Sequence, residues 1–284
     1  MSTLTRSSWV RLRRTERCVI CGHLGWCTRS ADGTAVNCAR TPSPKPIRNK
    51  TTGEINGYLH RPHGGPLPQV EAKPPVPRLS RGALLRMAEH HRTAVSPARL
   101  ARHAASLGVS VENLRRLRIG WDADHSAWSF PMVGVEGGPP LGFRLRRDNG
   151  RKFAIEGGTE GLFIPDGIVA NGALVIVEGP TSLAALLDLG VNAIGRPSCN
   201  GGVVLLKRFI EANDYDTVIV LADRDEWKKR RDGSTFRPGP DGGRALAREL
   251  RARLVMCPVV KDARDWKAAG ANAADVRRTL GIRR

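Results

Sequence analysis

Three carboxylates stand where apolar runs end. Glu178 closes the run Leu174-Val-Ile-Val, while Asp223 and Asp225, one residue apart, follow Thr217-Val-Ile-Val-Leu-Ala. An acid at the end of a strand sits at the carboxyl edge of a parallel sheet, where open α/β folds place their chemistry. Alternate residues at a strand end share a face, so Asp223 and Asp225 point together, with Glu178 beside them if the two strands are neighbours. Such a trio repels itself without a cation. Magnesium or manganese takes hard oxygen ligands and keeps waters and substrate phosphates in its remaining positions. Held there, it would bridge phosphate oxygens, orient a hydroxyl and neutralise charge in phosphoryl or nucleotidyl transfer. The bland alternative is that each acid is solvated or caps the following helix.

A second cluster is made of sulfur. Cys18-x2-Cys21-x5-Cys27-x10-Cys38 gathers four of the six cysteines, a spacing that suits one tetrahedral zinc in a reducing compartment better than a disulfide framework. The second half departs from Cys-x2-Cys, so the pattern points to zinc without naming a ribbon, and His23 could replace a cysteine. Zinc would hold together a module too small for a core of its own. Basic neighbours would let it touch single-stranded nucleic acid. Cys199 and Cys257 stand alone and read as core or near-core thiols.

The third element is basic. In Leu141-Gly-Phe-Arg-Leu-Arg, strand alternation sets Arg144 and Arg146 on one face, and Arg147 and Lys152 extend the set of donors for phosphates. A solvated basic hairpin is the plain alternative. Trp128, Phe130, Phe143 and Phe153 read as core, and with aromatic content of 5% no base-stacking surface is expected. The whole chain carries 46 Lys+Arg against 27 Asp+Glu, a net charge of +19, which calls for a polyanionic partner.

These residues need a scaffold. The 284 residues, 40% of them hydrophobic, allow two domains and a small module. Residues 1–42 form the zinc-binding module, and 43–80 a Pro-rich linker with a short hairpin near 53–58. Residues 81–168 make a basic region: helical spacing over 81–117, with Ser110 capping the last helix, then short alternating runs that predict a small mixed sheet over 119–165. Residues 169–284 alternate strand and helix: strands 174–178, 191–195, 217–222 and 254–260, helices 180–189, 202–212, 241–253 and 272–280. That predicts a parallel sheet with helices on both faces. Residues 227–240 interrupt it as a polar, basic insertion, expected to be a mobile loop. No run of about 18 apolar residues predicts a membrane span, and the N-terminus lacks the apolar stretch of a secretory signal, so a cytoplasmic protein is expected.

Glu178-Gly179 after one strand and Asp223-Arg224-Asp225 after a later one resemble the TOPRIM domain of bacterial and phage primases, topoisomerases and some nucleases and recombination mediators. The resemblance runs from residue 173 to about residue 270. It implies an α/β fold with a TOPRIM-type parallel sheet, and it gives Glu178, Asp223 and Asp225 magnesium-dependent work on phosphodiesters. Lys261-Asp262-Ala-Arg-Asp265 resembles the Lys-Asp-x-x-Asp element of primase TOPRIM domains. That adds Asp262 and Asp265 as metal or structural carboxylates, with helix capping as the alternative, and Lys261 as a nucleotide contact. The small residues that follow the Asp pair in the family are displaced here to Asp241-Gly-Gly by the insertion.

The basic segment ahead of TOPRIM looks like that of phage-type primases, where such residues meet template or nucleotide. The order of zinc module, tether, basic region and TOPRIM resembles the primase part of phage and mobile-element replication proteins. It implies a DNA primase that makes short RNA primers on single-stranded DNA from ribonucleoside triphosphates. No Gly-x4-Gly-Lys-Ser/Thr occurs, so a helicase would be a separate partner. Two other readings share these features: a TOPRIM nuclease, and a non-catalytic replication or recombination mediator that binds DNA. A topoisomerase needs a nucleophilic tyrosine on further domains, and only Tyr58 and Tyr215 occur.

Overall fold

The computed structural model describes residues 9–13, 15–48, 55–62, 76–229, 235–258 and 260–282. The chain divides into two units, residues 1–75 and 76–284.

The first unit is an antiparallel sheet with order β1-β2-β3-β5-β4, built from β1 (Trp9–Arg11), β2 (Thr28–Ser30), β3 (Val36–Cys38), β4 (Pro46–Arg48) and β5 (Ile55–His60). Its core is Leu12, Val36 and the cysteines Cys18, Cys27 and Cys38. The linker expectation needs correction: β4 and β5 lie within 43–80, where β5 pairs with β3 and satisfies the open edge beside Cys38. Of the hairpin expected near 53–58, residues 55–58 instead form part of the single strand β5, which pairs with β4 upstream, while residues 49–54 and 63–75 lie outside the described residues.

The second unit opens with three helices, α1 (Arg81–Thr93), α2 (Pro97–Leu107) and α3 (Val111–Arg116). Each is capped by a serine, Ser80, Ser96 or Ser110, whose hydroxyl accepts a backbone N–H of the first turn. A four-stranded sheet follows, β6 (Gly120–Asp122), β7 (Ala127–Gly134), β8 (Gly137–Arg146) and β9 (Lys152–Ala154), in that order. It is antiparallel throughout rather than mixed, because its strands are joined by turns too short for a parallel crossover.

The parallel sheet has order β11-β10-β12-β15, with β10 (Asn171–Glu178), β11 (Ala193–Arg196), β12 (Asp214–Ala222) and β15 (Arg253–Met256). Its helices are α4 (Pro180–Asp188), α5 (Val203–Glu211), α6 (Pro238–Leu250), α7 (Ala263–Ala268) and α8 (Ala273–Leu280). Alternation divides each strand between two layers. Leu174 and Ile176 pack with α5 and α6, whereas Val175 and Val177 pack with α4, α7 and α8. The second layer is continuous with Leu100, Leu114, Trp128 and Phe130, so the boundary expected at 168 separates no two cores.

Three local readings change. The short helix α7 was not anticipated, since six residues give little periodicity. The last strand stops at Met256, ahead of Cys257-Pro258, where a proline has no N–H to give the ladder. The insertion, expected to be a mobile loop, contains a short hairpin of β13 (Lys228–Lys229) against β14 (Thr235–Phe236); residues 230–234 are outside the described set.

One buried carboxylate ties α3, α4 and α7 together. Asp188, with 6% of its side chain exposed, accepts hydrogen bonds from the Ser110 N–H (2.9 Å) and hydroxyl (2.6 Å), Asn113 Nδ2 (2.6 Å) and Lys267 Nζ (2.6 Å). Burial alone would raise its pKa, but Lys267, Ser110 and Asn113 together hold it below the usual range. A lowered folded pKa adds stability that is present above about pH 4 and fades as pH falls through the folded value. Asp188→Ala should therefore cost about 3 kcal/mol of unfolding free energy at neutral pH. Chemical denaturation should show the loss shrinking in acid; a variant as stable as wild type at pH 7 would contradict this role.

Candidate functional site

The parallel topology brings the acids to one edge. Glu178 is the last residue of β10, Asp223 and Asp225 leave the adjacent β12, and Asp262 follows β15, next in the sheet. Each position has a local cause. Strand β10 turns into α4 at Gly179 with φ 77°, a left-handed conformation that a side chain would oppose, so Glu178-Gly179 is a turn requirement as well as a chemical one. After the insertion the chain returns to Asp223 through Pro238-Gly239. A Cβ on Gly239 would lie 2.3 Å from the Asp223 carbonyl oxygen, so only glycine lets α6 start there. The Gly239 N–H donates to Asp225 Oδ2 at 2.9 Å, and Arg237 Nε donates to the Asp225 carbonyl at 2.9 Å. Thus Gly239 closes on the Asp pair, while the displaced Gly242 and Gly243 approach Cys199 and Ala222. Arg224 binds the other flank, donating from its N–H to the Lys261 carbonyl (2.6 Å) and from Nε to the Cys257 carbonyl (2.9 Å).

Glu178, Asp223, Asp225 and Asp262 line one cleft of about 520 Å³. Six cationic residues line it as well: Arg144, Arg146 and Lys152 from the basic sheet, and Lys228, Lys261 and Arg264 from the segments that carry the acids. Two links hold the basic sheet against the acidic one. Phe163 exchanges backbone hydrogen bonds with Gly195 of β11 (2.8 and 2.9 Å), and Arg144 Nη2 donates to the Pro197 carbonyl at 3.0 Å. Arg146 and Lys152 are cross-strand partners, a like-charge pair that repels unless an anion lies near. Removal of water and the charges of Arg146 and Lys261 press the Lys152 pKa down, against Glu178 and Asp223.

On the acidic side the counterpart is Asp223. Burial first, then the charges of Glu178, Asp262 and Asp225, push Asp223 up to about 8. A cation beside Asp223 would favour its ionised form. The oxygens of the acids do not crowd as the cysteine sulfurs do; among the described residues the cysteines are the group drawn within 4.8 Å of one another. An ion in this cleft would have to draw part of its coordination from waters and phosphates.

The expected residues divide. Arg144, Arg146, Lys152 and Lys261 face the cleft, but Arg147 does not line it: just beyond the end of β8, it donates from Nε to the His125 carbonyl at 3.0 Å. Asp262 lines the cleft yet also caps α7, its Oδ1 accepting the N–H groups of Arg264 and Asp265 at 3.0 Å. Asp265 stands in the first turn of α7 and is not among the lining residues, so its acidity serves the helix end. Cys257 is buried as expected, whereas Cys199 lines the cleft.

Arg196 was missed. Only 2% exposed, it pairs in register with Glu178 and donates from Nη1 to the carbonyls of Cys199 (2.7 Å) and Gly242 (3.4 Å). Burial lowers its pKa, while Glu178, Cys199 and Asp223 act to raise it, which makes it a fixed positive charge behind the acids. Its sequence signal was an arginine closing the short strand Ala193-Ile-Gly.

In the first unit, Sγ of Cys27 lies 3.8 Å from that of Cys21 and 3.9 Å from that of Cys38. Tetrahedral zinc with Zn–S bonds of ~2.3 Å spaces its sulfurs by about 3.8 Å, so the set fits zinc. The N–H groups of Ala39 and Thr41 donate to Cys27 and Cys38 sulfur (3.5 and 3.3 Å), as thiolate ligands require. His23 is not part of the cluster; its Nδ1 donates to the Cys21 carbonyl at 2.6 Å.

No family model matches the sequence, and no curated protein matches it. Among solved structures, the chain is similar to a DnaG catalytic core, with TM-score 0.53, 16% identity, and coverage of 72% of this chain and 80% of that one. It is similar to the E. coli primase catalytic core, at TM-score 0.52, 17% identity, and coverage of 71% and 79%. The Aquifex aeolicus primase structure with zinc-binding and RNA polymerase domains gives TM-score 0.53, 13% identity, and coverage of 72% and 62%. With the acids at the strand ends and the four cysteines upstream, the chain has the TOPRIM-type fold of bacterial primase catalytic cores.

Proposed function

We propose that this chain is a primase-like nucleotidyltransferase that builds RNA primers on single-stranded DNA. The observation that carries the reading is the cleft itself, in which strand-end acids face a wall of arginine and lysine within a primase-core fold. Glu178, Asp223 and Asp225 would hold magnesium or manganese, with Asp262 nearby, and the bound ion supplies charge neutralisation at the phosphates of the reaction. The chain's own residues do the rest. Arg144, pinned to the Pro197 carbonyl, and Arg146 and Lys152 across the ladder bind triphosphate or template oxygens, while Lys261 adds charge from the opposite lip. Buried Arg196, in register with Glu178, sets a positive charge behind the acids. The zinc module reads the template, and a separate replicative helicase would supply unwound DNA.

Primer synthesis from labelled ribonucleotides on single-stranded DNA tests this directly. Asp223→Asn should lower product formation by about 100-fold or more, and chelation of divalent metal should do the same. Equal product from wild type and variant would end the polymerase reading, and DNA binding that survives chelation without synthesis would favour the mediator.

Asp223 also makes a prediction about stability. Without metal it keeps its proton up to about pH 8 in the fold, whereas an unfolded chain loses it near ~3.9. The unfolded state thus holds fewer protons in that window, and stability from this group declines as pH rises from about 4 to about 8. In metal-free buffer at pH 8, Asp223→Asn should melt about 3 °C or more above wild type, and the two should converge near pH 4. Magnesium should raise the wild-type midpoint and leave the variant nearly unmoved; matching melts at pH 8 would remove the crowded-acid account.

Zinc content checks the other metal. The full chain should carry about one zinc, and Cys27→Ser should lose it. Because the first unit's core is largely cysteine, metal removal should open residues 9–62 to protease while the second unit stays resistant. A zinc-free protein equally resistant throughout would overturn the structural role.

A further inference from the structure

The insertion adds an aromatic ring to the mouth of the cleft. Trp227 is 66% exposed, the first residue after the Asp-Arg-Asp-Glu run, and it leads directly into β13. One face is backed by Arg237, whose Cζ lies 5.7 Å from the ring centroid. Arg237 is itself fixed through its Nε bond to the Asp225 carbonyl, and its N–H donates to Asp241 Oδ2 at 2.8 Å. The guanidinium therefore cannot swing away easily, and the indole is held with most of its surface in water.

Its surroundings are cationic and continuous with the cleft. Trp227 lines an open groove with Arg224, Lys228, Arg237 and Lys261 against Asp225 and Glu226. Asp225, Lys228 and Lys261 line both this groove and the acidic cleft, so the two form one track that is longer than a single nucleotide's pocket needs. Lys229, on the same short strand, is exposed. Exposed indole beside lysine and arginine along such a track is the physical arrangement that holds single strands: rings stack on bases of any sequence, and cations follow the phosphates.

We propose that the hairpin insertion is a base-stacking platform, on which Trp227 receives a base of a single-stranded polynucleotide while Lys228 holds the adjoining phosphate at the cleft mouth. The low aromatic content argued against such a surface, but one ring suffices when its position is fixed. This inference rests on the nucleic-acid reading of the cleft and assigns a strand-guiding role to a segment outside its acids.

The test is fluorescence anisotropy of the full chain with a labelled oligothymidylate of about 20 nucleotides, with ATP binding measured alongside. Trp227→Ala should weaken strand binding by about 10-fold, Trp227→Phe should stay within ~3-fold of wild type, and ATP affinity should be unchanged. Lys228→Gln should reduce the slope of log affinity against log salt by about 0.7, a slope that Trp227→Ala leaves alone. Wild-type strand affinity in Trp227→Ala overturns the platform, as does Trp227→Phe falling as far as alanine. Loss of ATP binding alone overturns the assignment to a strand and gives the ring to a free nucleotide. If wild type makes no primers yet Trp227→Ala loses strand binding, the platform stands and the nucleotidyl-transfer reading falls. If wild type binds no strand at all, both fall.

Discussion

Like charges gathered at one edge of a sheet are the constraint to which the second unit answers. Glu178, Asp223 and Asp225 issue from neighbouring strands, with Asp262 following the next, and burial weighs most on Asp223. The fold tolerates this by setting Arg196 behind the acids and a cationic wall in front. That arrangement is costly as a resting state and useful as a site for a metal and phosphates. Under the proposed function, the same groups would serve as ligands and counter-charges for an ion and its phosphates.

The wall stays in place because two sheets are joined by backbone. A hydrophobic layer from Leu100 to Leu280 runs without interruption under both, and the Phe163–Gly195 exchange sews their margins together. Arginine side chains have long reach and high rotamer entropy, so fixing their strands removes much of what phosphate binding would otherwise cost. Close helix approach matters equally on the acidic side. Gly239, Gly242 and Gly243 bring α6 against Asp223, Cys199 and Ala222, at distances no side chain would permit.

Much of this was legible before any coordinates. The apolar runs ending in acids marked β10 and β12, since buried parallel strands need uninterrupted Leu, Ile and Val, while their adjacency came only from the sheet itself. The cysteine spacing marked the zinc cluster, and alternation correctly placed Arg144 and Arg146 together. Reading by adjacency failed where the chain changed direction. Arg147 follows Arg146 in sequence but lies beyond the strand, and its guanidinium serves His125. Asp265 shares a motif with Asp262, yet three helical residues carry it to the helix's own first turn. His23 sits between ligands in the chain but bonds to a backbone carbonyl.

What the amino-acid order determined alone was local and periodic: which segments are strands or helices, which ends carry charge, and which sulfurs are close enough to share an ion. Those properties depend on neighbours within a few residues. Only the tertiary structure decided that Arg196 stands behind Glu178, that a basic sheet faces an acidic one, and that Trp227 projects beside their common cleft. These juxtapositions join residues tens of positions apart, and they are set by which faces must be buried together, a property of the packed whole.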